Sequence, residues 1–184
     1  GARKQIDVGK AVYAFAIGSA DIYATLDRNP AFEARQVDYT NLPSSVARNH
    51  NVFSVNSTGQ MDLQGQAASE ADGYRHFSGT GGQLGFVRAA YESQGGRGFL
   101  CMPSTYEKHG VRKSRVVAGL APGTIVTVPR TDVMYVATEY GMVCLKGLPV
   151  AERAKAMISI AHPDFREELE REAYDKGLIP KAYF

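Results

Sequence analysis

The chain has 184 residues, 44% hydrophobic and 22% charged, with 21 Lys and Arg against 19 Asp and Glu. That length holds one sizeable core, and a net charge of +2 excludes broad electrostatic attraction to nucleic acid or a membrane surface. No apolar run approaches the ~20 residues of a membrane span. Gly1-Ala2-Arg3-Lys4 lacks the apolar stretch of a signal peptide, so a cytoplasmic protein is expected. Cys101 and Cys144, in Phe-Leu-Cys-Met and Met-Val-Cys-Leu, form neither a CxxC pair nor a Cys/His cluster. They are read as buried free thiols, and no metal site is expected.

Ala11 to Ile17 reads as a buried strand, followed by a short helix that Ser19 caps and on which Ile22, Tyr23 and Leu26 share a face. Asn29-Pro30 breaks it. Phe32 to Val37 is extended, Leu42 is held extended by Pro43, and Ser44-Ser45 start another short helix. Strands are predicted at 51–55, 99–102, 124–128 and 133–137, with a turn-rich stretch around Gly59, Gly65 and Gly73. Two helices close the chain. The first stacks Val150, Ala154, Met157, Ile158 and Ala161. The second starts at Pro163 with His162 as its start residue, pairs Glu172 with Lys176, and ends at Gly177. This is the pattern of one α/β domain over 1–184.

The densest motif is Ser78-Gly79-Thr80-Gly81-Gly82-Gln83. Glycine at three of four positions lets backbone N–H groups converge on an anion or a developing oxyanion, and Leu84, Val87, Arg88 and Tyr91 permit a helix whose amino end adds its dipole. Leu84 stands where a dinucleotide loop needs Gly, and no Gly-Lys-Ser/Thr of a P-loop follows. On these residues alone, a tight structural turn and an anion site are equally good readings.

The motif resembles the oxyanion loop of class I coenzyme A transferases, and the resemblance extends along the chain. Asp38-Tyr39-Thr40-Asn41, Asp62-Leu63-Gln64-Gly65-Gln66, Pro103-Ser104-Thr105, Thr138-Glu139-Tyr140-Gly141 and His162-Pro163-Asp164-Phe165 are similar, in order, to the acetyl-CoA hydrolase/transferase family. Among its members the butyrate and 4-hydroxybutyrate CoA-transferases are the nearest in pattern. The resemblance implies an open mixed or parallel sheet flanked by helices (NagB/RpiA-like), coenzyme A or acyl-CoA as substrate, a carboxylate as second substrate, and no metal. It also implies covalent catalysis by a glutamate whose segment precedes what matches Arg3-Lys4-Gln5, so the chain is expected to need a further amino-terminal part. A homo-oligomer is expected as well.

Carried over residue by residue, the resemblance makes Gly82 the amide facing the thioester. Ser78, Gly79, Gly81 and Gln94 become coenzyme A contacts, Gln94 standing where many relatives have Lys. Asn41 becomes a hydrogen-bond donor near the reacting carboxylates, against an Asx-turn before Pro43. Glu139 becomes a carboxylate that orients the reacting groups, against an ion pair with Arg75 or Arg130. The basic run Lys108, His109, Arg112, Lys113 and Arg115 is read as a mobile, solvated loop. Acyl-CoA hydrolysis and, for the fragment alone, non-catalytic coenzyme A binding are the alternatives to transfer.

Overall fold

The computed structural model describes residues 3–180. β1 (Ala11–Tyr13) pairs in parallel with β2 (Phe32–Ala34), Ala11 facing Phe32, and α1 (Ala20–Leu26) connects them. The expected strand to Ile17 stops at Tyr13. Each strand of this pair has one neighbour only, and Phe15 and Ile17 beyond it are 72% and 82% exposed. Ser19 precedes α1 with extended backbone but makes no side-chain cap. From Arg3 to Phe53 no residue is buried. α2 (Val37–Thr40) occupies the end of the run expected to be extended, and α3 (Pro43–Val46) starts at Pro43 itself, which suits a first helical position. Leu42 is extended, with ψ 122°.

β3 (Phe53–Ser57) starts the main sheet two residues later than expected. The turn-rich stretch holds β4 (Gln60–Asp62), β5 (Ala67–Ala68), β6 (Ala71–Asp72) and β7 (Arg75–His76). Then come α4 (Gln83–Glu92), β8 (Arg97–Cys101), β9 (Thr105–Lys108), β10 (Val111–Ser114) and β11 (Val116–Val117). β12 (Tyr135–Thr138), β13 (Gly141–Cys144), α5 (Val150–Ser159) and α6 (Pro163–Asp175) complete the described chain.

The main sheet runs β13-β12-β8-β3, with β3, β8 and β12 parallel and β13 antiparallel; a second runs β11-β4-β5. This is an α/β fold with open mixed sheets and helices. α4 packs on β3 and β8, and α5 on α6. The core gathers Met61, Leu100, Val116, Val136, Leu145 and Met157, all at most 1% exposed. Truncating one such residue to Ala costs about 2–5 kcal/mol, because packed interiors collapse only partly around a cavity.

Three expectations need correction. Residues 124–128 form no strand: only Val128 bridges, to Ala67. Pro129 lacks the N–H that would extend the ladder, and Ile125 and Val126 remain partly exposed. The basic run is not a loose loop. It folds as the β9–β10 hairpin around His109 and Gly110, at φ 55° and 75°, the conformation of a two-residue hairpin turn. Cys144 is exposed on the outer strand β13 and Cys101 is half-buried, both free. The closing helices follow the sequence reading. His162 Nδ1 accepts from the Asp164 N–H at 3.2 Å, Lys176 lies 3.9 Å from Glu172, and Gly177 ends the helix at φ 68°. Among the described residues no helix is long and apolar enough to cross a membrane.

Candidate active site at the glycine loop

Gly82 caps α4, and its lack of a side chain is required by a close approach. A Cβ there would stand 2.5 Å from Asn41 Nδ2, and one on Gly85 would stand 2.7 Å from the Asn41 carbonyl oxygen. Two glycines one turn apart thus let α4 settle onto Asn41, the residue that ends α2. The Asn41 carboxamide is oriented: Thr40 Oγ1 donates to its oxygen at 2.8 Å, which leaves the nitrogen facing Gly82. Gly79 and Gly81 differ, since a Cβ on either would meet nothing within 4 Å, and Gly81 sits at φ 63°. Ser78 is exposed and donates to the Gly79 carbonyl at 3.0 Å. The loop therefore presents an open strip of backbone at the positive end of a ten-residue helix.

Gln83 ties this strip to the main sheet. Its side-chain nitrogen donates to Ser57 O at 3.1 Å, while its oxygen is buried with no partner. Ser57 in turn lines an open cleft of about 520 Å³ with Cys101, Pro103, Thr138 and Glu139. These residues stand at or just beyond the carboxyl ends of the parallel strands β3, β8 and β12, where α/β sheets place their ligands.

Glu139 occupies the two-residue turn between β12 and β13, closed by the Thr138–Gly141 pair with Gly141 at φ 143°. Ser104 grips both carboxylate oxygens: its N–H donates to Oε2 at 2.8 Å and its hydroxyl to Oε1 at 2.5 Å. Burial pushes the Glu139 carboxyl up. The Ser104 hydroxyl, the turn's own N–H, the Ser104 N–H and a protonated His162 outweigh it and hold the group below its usual value of 4.5. Neither Arg75 nor Arg130 pairs with it; Arg130 reaches the Gln64 side chain instead, at 3.2 Å.

The fold therefore seats Asn41 on Gly82, at the end of the loop that carries Ser78, Gly79 and Gly81, and Glu139 lines the cleft that Gln83 reaches through Ser57. Gln94 is not with them. It lies beyond the other end of α4, about 15 Å of helix away, and its carbonyl accepts from the Asn51 N–H. Ser104, 0% exposed, had no role in the sequence reading. The available signal was Pro-Ser-Thr directly after an apolar strand, which places a hydroxyl at a strand end. Among the described residues no group of three His, Cys, Asp or Glu is arranged to hold a metal ion.

The model of the acetyl-CoA hydrolase/transferase carboxy-terminal domain matches residues 18–173. The chain belongs to the acetyl-CoA hydrolase/transferase family. It is 50% identical over 182 residues to a probable butyrate:acetyl-CoA coenzyme A-transferase of Syntrophomonas wolfei, covering 99% of this chain and 41% of that protein. It is 44% identical over 170 residues to a 4-hydroxybutyrate coenzyme A transferase of Clostridium kluyveri, covering 92% and 39%. The crystal structure of RipA from Yersinia pestis superposes with a TM-score of 0.89 at 46% identity, over 97% of this chain and 40% of that one. The family chain described here thus spans about 40% of the length of the relatives it matches.

Proposed function

We propose that this chain is the coenzyme A-facing carboxy-terminal part of an enzyme that exchanges coenzyme A between a short-chain acyl-CoA and a carboxylate. The observation that carries the reading is the seating of the Asn41 carboxamide against Gly82, at an open glycine strip capping α4. Amides fixed in this way suit a thioester oxygen that gains charge as it is attacked.

In the proposed reaction a glutamate carboxylate attacks the thioester carbonyl. The developing oxyanion lies against the loop amides, the C–S bond breaks, and coenzyme A leaves as thiolate from an acyl–glutamyl anhydride. The thiolate then attacks the glutamyl carbonyl, releasing the first carboxylate and leaving a glutamyl-CoA thioester. A second carboxylate reverses the sequence and departs as the new acyl-CoA. Two glutamates near the loop are poorly suited to be the nucleophile. Both oxygens of Glu139 are held by Ser104, and Glu70 is 6% exposed with both oxygens bonded to threonines. The nucleophile is therefore assigned to polypeptide outside these 184 residues, in keeping with the greater length of the relatives. Glu139 is assigned to orienting the reacting groups.

The test is to supply butyryl-CoA and acetate to the enzyme that carries this chain and to follow acetyl-CoA. A hydroxylamine-sensitive glutamyl thioester, located by mass spectrometry, is expected. Coenzyme A released at full rate with no carboxylate present would make the enzyme a hydrolase. No acyl-CoA turnover of either kind would overturn the reading.

A further inference from the structure

The glycine strip has no side-chain packing to fix it, since Gly79 and Gly81 face open space and three glycines in four positions leave the backbone very free. Its order comes from below. Glu70, buried between β5 and β6, holds the loop at two points. Its main-chain oxygen accepts from Phe77 N at 3.0 Å and Ser78 N at 3.4 Å, and its carboxylate Oε2 accepts from Thr80 Oγ1 at 3.1 Å. The other carboxylate oxygen accepts from Thr127 Oγ1 at 2.9 Å, and Thr127, 4% exposed, accepts in turn from the Ser69 N–H at 3.0 Å. No cation pairs with Glu70 among the described residues. A carboxylate so buried is costly unless hydrogen-bonded, and here its bonds go to one rigid anchor and to the tip of one flexible loop.

We propose that Glu70 is a positioning residue: through Thr80 it holds the amides of Gly81 and Gly82 in place before the acyl-CoA arrives. The role rests on the coenzyme A reading only for its kinetic consequence, because the clamp itself is a property of the chain. Thr80→Val removes the hydroxyl at nearly constant size, and Thr80→Ser keeps it. Glu70→Gln can accept at one oxygen only.

Backbone amide relaxation of the 184-residue chain reads the clamp directly. Order parameters at Gly81 and Gly82 are expected to fall from about 0.85 to below about 0.6 in Thr80→Val and Glu70→Gln, and to stay near wild type in Thr80→Ser, with the core amides unchanged. In the transferase, Thr80→Val is expected to lower kcat tenfold or more with a smaller change in KM for butyryl-CoA, and Thr80→Ser to restore it. Unchanged order parameters at both glycines in Thr80→Val would overturn the clamp, whatever the fate of Glu70→Gln. Loosened amides with wild-type kcat would overturn the positioning role. If the wild-type enzyme turns over no acyl-CoA, the coenzyme A reading fails while the relaxation data still decide the clamp.

Discussion

Asn41 and Gly82 are fitted to each other: the Asn41 carboxamide nitrogen lies 2.5 Å from the point where a Cβ on Gly82 would be. Gly82 has φ −99°, which any residue can adopt, so the glycine serves the contact and not the backbone conformation. Gly82→Ala is expected to displace Asn41 and lower kcat on the order of 10²-fold, the scale of losing one oxyanion donor. Adding Asn41→Gly should recover melting temperature but not turnover. Wild-type kcat in Gly82→Ala would leave the loop as a structural turn.

Glu139 has no guanidinium partner, so removing its charge strands no buried opposite charge. Glu139→Gln leaves one acceptor for the two Ser104 donors and is expected to cost about 1–2 kcal/mol, the scale of one lost hydrogen bond to a charged group. Turnover should fall by about 10² or more if the carboxylate orients the reacting groups. Melting temperature and kcat measured on one preparation separate the two effects. A large stability loss with activity per folded molecule retained would remove Glu139 from the site.

The grip of Ser104 sets a pH dependence. Donors to a carboxylate favour its charged form, so the Glu139 pKa is depressed in the folded chain. The stability this adds is present above the unfolded pKa and is lost as pH falls through the folded one. Ser104→Ala removes the hydroxyl, and the Glu139 pKa should rise. The acid limb of kcat/KM is then expected to move to higher pH, alongside the side-chain NMR titration of Glu139. An acid limb that stays in place would show that another group controls it.

The chain by itself is expected to show no transferase turnover. Without the nucleophile, the amides and binding groups leave only residual catalysis. Purified chain with butyryl-CoA and acetate should form no acetyl-CoA on an enzymatic timescale. Rates of ~10 per second would place the nucleophile within these residues.

The parts of the fold legible in the sequence were those whose local signals agree. α5 and α6 share a helical apolar period, to which α6 adds a proline start and a glycine stop, and β8 carries an apolar run shortly before Pro103. The β9–β10 hairpin was hidden because its residues are charged on both faces. Its register sets Arg112 against Glu107, and such cross-strand pairs contribute without any apolar alternation. In the site, the glycine motif was plain, but its supports were not. Asn41 meets Gly82 only through the packing of α3 on α4, and Ser104 reaches Glu139 because neighbouring parallel strands end side by side. No local pattern records either meeting.

The exposed opening stretch divides the site into parts of unequal persistence. Asn41 belongs to residues 3–53, none of them buried, whereas Gly82 adjoins a helix with Val87, Ala89 and Ala90 in the interior. The stretch can therefore open while the core stays closed. On the proposed role of Asn41, only molecules with it seated would be competent, and the apparent affinity for acyl-CoA would fall by that fraction: seated a tenth of the time, the chain would bind about tenfold more weakly. Whatever covers the exposed Phe15, Ile17 and Val37 would raise affinity by shifting that population, without touching the ligand.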